Sequence, residues 1–237
     1  MLLDKEFMLK TFWASFKAIP VTLEITIISL LLAILPAYFM AMSRLKKRPI
    51  ISKVSLVYIS FMRGTPIVLQ ILIVYSLLPS LLNIFFQRFF PSVNIFNANP
   101  IIYALVVFTL NTIATLSEVF RSAIPTVDRG QYEAALSAGL THFQAYTRII
   151  IPQALLSALP NICNLAVSLI KNTSLAFMMT VKDITAVAKI QASYGFNYIE
   201  AYLDIFLIYI IVCSVVQLLF KFAEKKLTKK GVKRVRN

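Results

Sequence analysis

Ser168, Lys171 and Asn172 stand at positions i, i+3 and i+4 of one apolar stretch, with Thr173 and Ser174 directly after them. On a helix this spacing places the first three on one face. An ammonium there can take a carboxylate, and the hydroxyl and amide beside it can donate and accept hydrogen bonds. The set therefore suits recognition of a small charged solute away from water, where unpaired charge is heavily penalised. The same residue types also join helices within membranes, and the sequence leaves both uses open. Three further charged groups lie in apolar runs: Glu24, Arg63 and Glu118. Such groups are costly and are functional candidates by default. Glu24 follows closely on Pro20, which suits an outer interface. Arg63 precedes Gly64-Thr65-Pro66, where proline removes a backbone hydrogen bond and interrupts a helix. It suits a gate or a carboxylate contact, or it pairs with Glu118. Glu118 and Arg121, at i and i+3, also suit a local ion pair.

Catalytic chemistry finds no purchase. His142 is the one histidine and has no acidic or cysteine neighbour at ligand spacing. Cys163 and Cys213 both lie in apolar segments, so neither a disulfide framework nor a metal spacing is expected. No Ser-His-Asp set or carboxylate pair is suitably placed. None of the five glycines (Gly64, Gly130, Gly139, Gly195, Gly231) fits the spacing of a phosphate loop. The chain is expected to bind no cofactor itself.

The elements that must position these residues are membrane spans. Of 237 residues, 59% are hydrophobic and 14% charged, and mean hydropathy is +0.78. Runs of about 18 or more apolar residues read as transmembrane helices. Five are expected, at 19–42, 51–78, 101–119, 154–179 and 202–220. In lipid a helix satisfies its own backbone groups, so the fold class is all-α: a polytopic membrane protein with five transmembrane helices. Residues 1–18 mix charges with Phe7, Phe12, Trp13 and Phe16, which predicts an interfacial helix rather than a cleavable signal.

Basic residues orient the spans. One side collects Arg44, Lys46, Lys47, Arg48, Lys53, Arg121, Arg129, Arg148 and eight bases between Lys221 and Arg236; the other collects six. The positive-inside rule puts the N-terminus outside and the C-terminus in the cytoplasm. The organisation expected is an interfacial segment (1–18), a transmembrane domain (19–220) and a basic cytoplasmic tail (221–237). The net charge of +14 reflects this asymmetry and a lipid-facing tail. No base-reading or aromatic module accompanies the tail, so nucleic acid is not an expected partner.

Residues 121–153 then form a cytoplasmic loop. Asp128 and Gly130 stand where a helix begins, with Glu133 expected in its first turn. Ala134 and Ala135 keep that helix slim, and Gly139 ends it. Thr141 and Gln144 form a capping box for a second short helix, which Pro152 is expected to stop before the fourth span. Two short helices joined at a glycine make a rigid knob.

These residues carry a family resemblance. Glu133-Ala134-Ala135, Gly139, nine residues, then Ile149-Ile150-Ile151-Pro152 resembles the cytoplasmic loop of membrane subunits of bacterial ABC importers, with Ile151 where leucine is usual. Arg63-Gly64-Thr65-Pro66, Ser117-Glu118 with Arg121, Gly130-Gln131, Pro152-Gln153-Ala154 and the run Ser168 to Leu175 extend it to the polar amino-acid uptake branch (histidine, glutamine or cystine type). Ser117 stands where alanine is commoner, and Asn172 where aspartate is frequent.

The resemblance implies a permease that translocates a polar amino acid delivered by an extracellular binding protein. Neutral Asn172 favours neutral polar cargo or L-cystine over cationic cargo. ATP and Mg would reside on a partner ATPase dimer, so the chain is not expected to be an enzyme. Glu133, Ala134, Ala135, Gly139, Thr141 and Pro152 would form the coupling helix against that ATPase. Arg63, Thr65, Glu118, Ser168, Lys171, Asn172, Thr173 and Ser174 would line the substrate path. A second permease, identical or sister, would complete the assembly in the bacterial inner membrane. The competing readings are an ion-coupled secondary amino-acid transporter, for which no inverted repeat is evident, and a membrane scaffold without transport.

Overall fold

A computed structural model describes residues 3–89, 96 and 98–235. Arg236, counted above in the basic tail, lies outside the described residues. The described chain is α-helical with short 3-10 and π turns and contains no strand. The helices are α1 (Lys5–Phe16), α2 (Ile19–Leu45), α3 (Pro49–Gly64), α4 (Ile67–Phe89), α5 (Pro100–Ala123), α6 (Arg129–Ser137), α7 (His142–Ala145), α8 (Ile151–Thr173), α9 (Ile184–Gly195) and α10 (Tyr198–Val235). Five helical segments among the described residues are long and apolar enough to cross a membrane: Lys5–Leu45, Ile67–Phe89, Pro100–Thr126, His142–Thr173 and Tyr198–Thr228.

The bundle is built on α2 and α5. Most buried positions of α2 are small (Thr22, Thr26, Ser29, Ala33, Ala37, Ala41), with Ile25 the large exception, whereas Leu31, Leu35 and Phe39 of the same helix face outwards. Small residues let backbones approach closely where lipid offers no hydrophobic drive for association. Ala33 and Ala37 accordingly meet Ile113 and Leu116 of α5 in one cluster. A second cluster, nearer the start of α2, gathers Ile25, Ile71, Tyr103, Val107, Phe108, Leu169 and Met179. α1 is capped by Asp4, whose carboxylate accepts from the Phe7 amide at 3.0 Å. It buries Thr11 and Ser15 and exposes Leu9 and Trp13.

Three expected boundaries differ. The second span is not one helix over 51–78: it breaks at Thr65-Pro66 into α3 and α4. Proline has no N–H to give the carbonyl four residues back, that of Met62, and Gln70 supplies the missing donor. Its Nε2 donates to Met62 O at 2.9 Å, Thr65 O at 3.2 Å and Thr65 Oγ1 at 2.8 Å. A buried carbonyl left unpaired costs about 1–3 kcal/mol, so one side chain holds the break together.

Pro152 does not stop a helix before the fourth span. It lies in the first turn of α8, and helical structure continues from His142 to Thr173. The π turn at Tyr146–Ile150 lies directly ahead of it. This widened turn accommodates a residue that lacks an N–H and would clash with the carbonyl of an ordinary turn.

The fourth span, expected to reach residue 179, ends as an α-helix at Thr173. A 3-10 turn at Ala176–Met179 follows. Thr173 and Ser174 thus close a helix rather than stud its middle. The Thr173 hydroxyl donates to Ile170 O and the Ser174 hydroxyl to Lys171 O.

Candidate functional site: a polar cleft and a protruding helical loop

Two constellations stand out. The first is a cleft of about 300 Å³ between α5 and α8, at the lower end of volumes usual for small-molecule sites. Its polar walls are Asn111, Thr112 and Thr115 from α5 and Asn161, Asn164, Ser168 and Asn172 from α8. Among the described residues, no charged side chain lines it. Ser168 and Asn172 are brought together as their spacing implies. Lys171 is not with them: it faces α10, in a separate hollow with Ser174, Tyr202 and Tyr209.

The helical wheel explains the split. Successive residues are about 100° apart, so Lys171 and Asn172 diverge to either side of Ser168. The packing of α10 then claims one side. Asn161 and Asn164, missed from sequence, continue the Ser168–Asn172 stripe towards the helix start. Their spacing over 161, 164, 168 and 172 was the available signal.

Asn111 links the cleft to the break in the second span. Its Nδ2 donates to Gln70 Oε1 at 3.3 Å, and the other end of Gln70 caps the carbonyls around Thr65. Thr65 therefore lies at the break and is not among the residues lining the cleft. Arg63 lies exposed nearby and has no ion pair among the described residues, so of the two uses left open for it, pairing with Glu118 is not the one seen.

Glu118 instead takes two guanidiniums. Arg121 donates from Nη2 at 2.7 Å and Nε at 2.9 Å, and Arg44 of α2 pairs with the other carboxylate oxygen. The expected local pair with Arg121 forms, and Arg44 extends it into a bridge between α2 and α5. Glu24 is exposed in the second turn of α2.

The second constellation is the loop. Asp128 caps α6 by accepting from the Gly130 amide at 2.6 Å. The helix starts at Arg129, so Glu133 lies beyond the first turn, against expectation. There it pairs with Arg129 at 3.3 Å while staying largely exposed. Ala134 faces solvent and Ala135 is buried.

Gly139 has φ +80° and follows the C-cap Ala138. Its amide donates to Leu136 O at 3.0 Å and the Leu140 amide to Ala135 O at 3.1 Å. This is a Schellman closure, in which a left-handed residue turns the chain. Thr141 and Gln144 then make the expected capping box in both directions, at 3.3 and 2.9 Å. The two short helices are tied by Tyr132, whose hydroxyl lies 2.7 Å from His142 Nδ1 and whose ring meets Tyr146 edge-on at 5.5 Å. His142 is thus a structural contact within the loop. Phe143 projects at its tip, 77% exposed.

The loop is thus braced by its own contacts and carries an exposed apolar side chain. Comparison with known proteins identifies its kind. Residues 29–229 match the family described as the binding-protein-dependent transport system inner membrane component.

The chain belongs to that family.

Among its relatives, the probable amino-acid permease YxeN of Bacillus subtilis (strain 168) is 38% identical over 94% of this chain and 97% of its own length. The L-cystine transport system permease TcyL of the same organism is 35% identical over 89% and 86%. A crystal structure of an amino acid ABC transporter with histidines contains a chain that superposes with a TM-score of 0.77. That chain is 27% identical, over 95% of this chain and all of its own.

The permease is therefore a multi-pass inner-membrane subunit of an ABC importer, and ATP hydrolysis lies on a separate subunit. The binding-protein-dependent family also implies a partner that delivers solute. Family membership decides against both the ion-coupled secondary transporter and the inert scaffold.

Proposed function

We propose that this permease carries a neutral polar amino acid past the α5–α8 cleft, driven through the α6–α7 loop by an ATPase dimer seated against it. The observation that carries the cargo reading is the chemistry of the cleft: amides and hydroxyls, with no fixed charge among the described residues of its walls. Amides meet both a carboxylate and an ammonium through hydrogen bonds. They offer a cationic or anionic side chain no counter-charge in a medium where unpaired charge is costly. The permease relatives, of which TcyL is named for L-cystine, support the same class.

Asn161, Asn164 and Ser168 are exposed on the outer face of α8, where lipid would leave them without partners. This supports a second permease, identical or sister, closing the cleft from the other side. The distribution of basic residues supports the N-terminus outside, with the loop and the C-terminus in the cytoplasm.

Competition uptake with a panel of amino acids tests the cargo. Glutamine or cystine should compete for transport at least tenfold better than arginine. Asn172→Asp should narrow or invert that ratio by adding a carboxylate that attracts cations. Equal competition by arginine in the unaltered permease would sink the reading, and an unchanged profile in Asn172→Asp would remove Asn172 from the path.

A further inference from the structure

Where α2 ends, two hollows flank Lys46. One, of about 280 Å³, is lined by Tyr38, Phe39, Met42, Lys46, Arg48 and Ile51 among others. Its neighbour, of about 450 Å³, shares Tyr38, Met42 and Lys46 and continues to Tyr132, His142 and Tyr146 of the loop. Among the described residues, no acidic side chain lines either. Lys46 and Arg48 have no ion pair among the described residues. The Lys46 ammonium rests 5.7 Å from the centre of the Tyr146 ring, which fixes its position at the mouth between the two hollows.

Below the bases, the wall turns apolar and outward. Phe39 is 66% exposed, and Ile50, Ile51 and Val54 at the start of α3 are exposed as well. Cations and polar side chains at the end of a span, above an apolar strip continuous with the lipid-facing surface, match one ligand: a phosphodiester headgroup with its acyl chains.

We propose that this cleft binds one anionic phospholipid, its phosphate held by Lys46 and Arg48 and its chains laid along Phe39, Ile51 and Val54. Basic pockets between membrane helices bind such headgroups, and each base near the surface contributes roughly a fivefold gain in affinity. The lipid would bridge the end of α2 to the loop, because the loop's Tyr132, His142 and Tyr146 line the same space. The inference is independent of the cargo reading: it concerns a different face, and its test reads lipid and not transport.

The test uses the whole transporter in nanodiscs of phosphatidylcholine with a minority of phosphatidylglycerol, followed by native mass spectrometry of the lipid it retains. The unaltered complex should retain phosphatidylglycerol in excess of its share. Lys46→Gln and Arg48→Gln should each lower that excess about fivefold, and the pair more. Lys46→Arg should keep it. So should Lys53→Gln, which removes a base from α3 outside both hollows. Melting curves confirm that the variants are folded.

The proposal fails if the double variant retains as much phosphatidylglycerol as the unaltered complex. It also fails if Lys53→Gln lowers the excess as strongly, since the preference would then be diffuse charge. Displacement of the lipid by millimolar inorganic phosphate would mark a free-anion site instead. Loss of the ATPase with lipid retention unchanged would mark a protein-docking surface.

Discussion

Asp183 shows what burial does to a single group. It precedes α9 and serves as its N-cap, accepting from the Ala186 amide at 2.8 Å and from the Tyr209 hydroxyl at 3.3 Å. Burial pushes its carboxyl up from 3.8 to about 6, against the pull of those donors. A folded-state pKa above the unfolded one means that folding favours the protonated form. The stability this contributes is complete below about pH 4 and is lost as pH rises through about 6. Asparagine caps helices about as well as aspartate and carries no charge. Asp183→Asn should therefore melt at or above the temperature of the unaltered protein at pH 7, with a flatter profile between pH 4 and 6. A variant retaining the full pH dependence would show that another group is responsible.

At the same scale, the sequence was legible where partners are close along the chain. The Thr141–Gln144 box and the Glu118–Arg121 pair could be read from their spacing of three residues. Arg44, 74 positions from Glu118, could not. Nor could the divergence of Lys171 from Asn172, because spacing fixes angles on a helix but not which neighbour occupies each side.

At the scale of elements, the informative places are where helices stop. Proline alone was a poor guide. Pro66 ends α3, because it sits where a buried glutamine can take over its hydrogen bond. Pro152 ends nothing, because a π turn absorbs it. The sequence contains both prolines but not the tertiary context that decides between them.

Gly139 was readable, since a left-handed position after a short helix favours glycine. A Cβ built there meets no atom within 4 Å. The requirement within the chain is therefore one of backbone conformation, about 1–2 kcal/mol for most residues. Asparagine visits that conformation readily, whereas leucine does not. If the chain alone sets the requirement, Gly139→Asn should keep most transport. If a seated ATPase fills the open space, Gly139→Asn and Gly139→Leu should both abolish ATP-driven uptake while expression and membrane insertion persist. The coupling role proposed for the loop predicts the second pattern. Normal uptake in Gly139→Leu would count against that role.

At the scale of the molecule, the central α2–α5 seam is packed with mostly small side chains of α2 inside and large ones outside. Ala33, Ala37 and Ala41 are fully buried on α2, while Leu31, two residues before Ala33 and so on the opposite side of the helix, is 61% exposed. The pattern follows from the solvent: lipid solvates leucine as well as a protein core does, so association rests on close backbone approach. Composition signalled a membrane protein but could not show which face of α2 was inner, since leucine and alanine both count as apolar. Substitutions should consequently rank opposite to the order usual in soluble proteins. Ala37→Leu thrusts a larger group between Ile113 and Leu116 of α5 and should cost about 1–3 kcal/mol through overpacking. Leu31→Ala removes more atoms yet opens no internal cavity, so its effect should stay within about 0.5 kcal/mol. Thermal unfolding of both variants in nanodiscs gives the comparison. If Leu31→Ala were the more damaging, a protein rather than lipid would cover that face of α2, and the tight α2–α5 pair would no longer be the principal seam of the bundle.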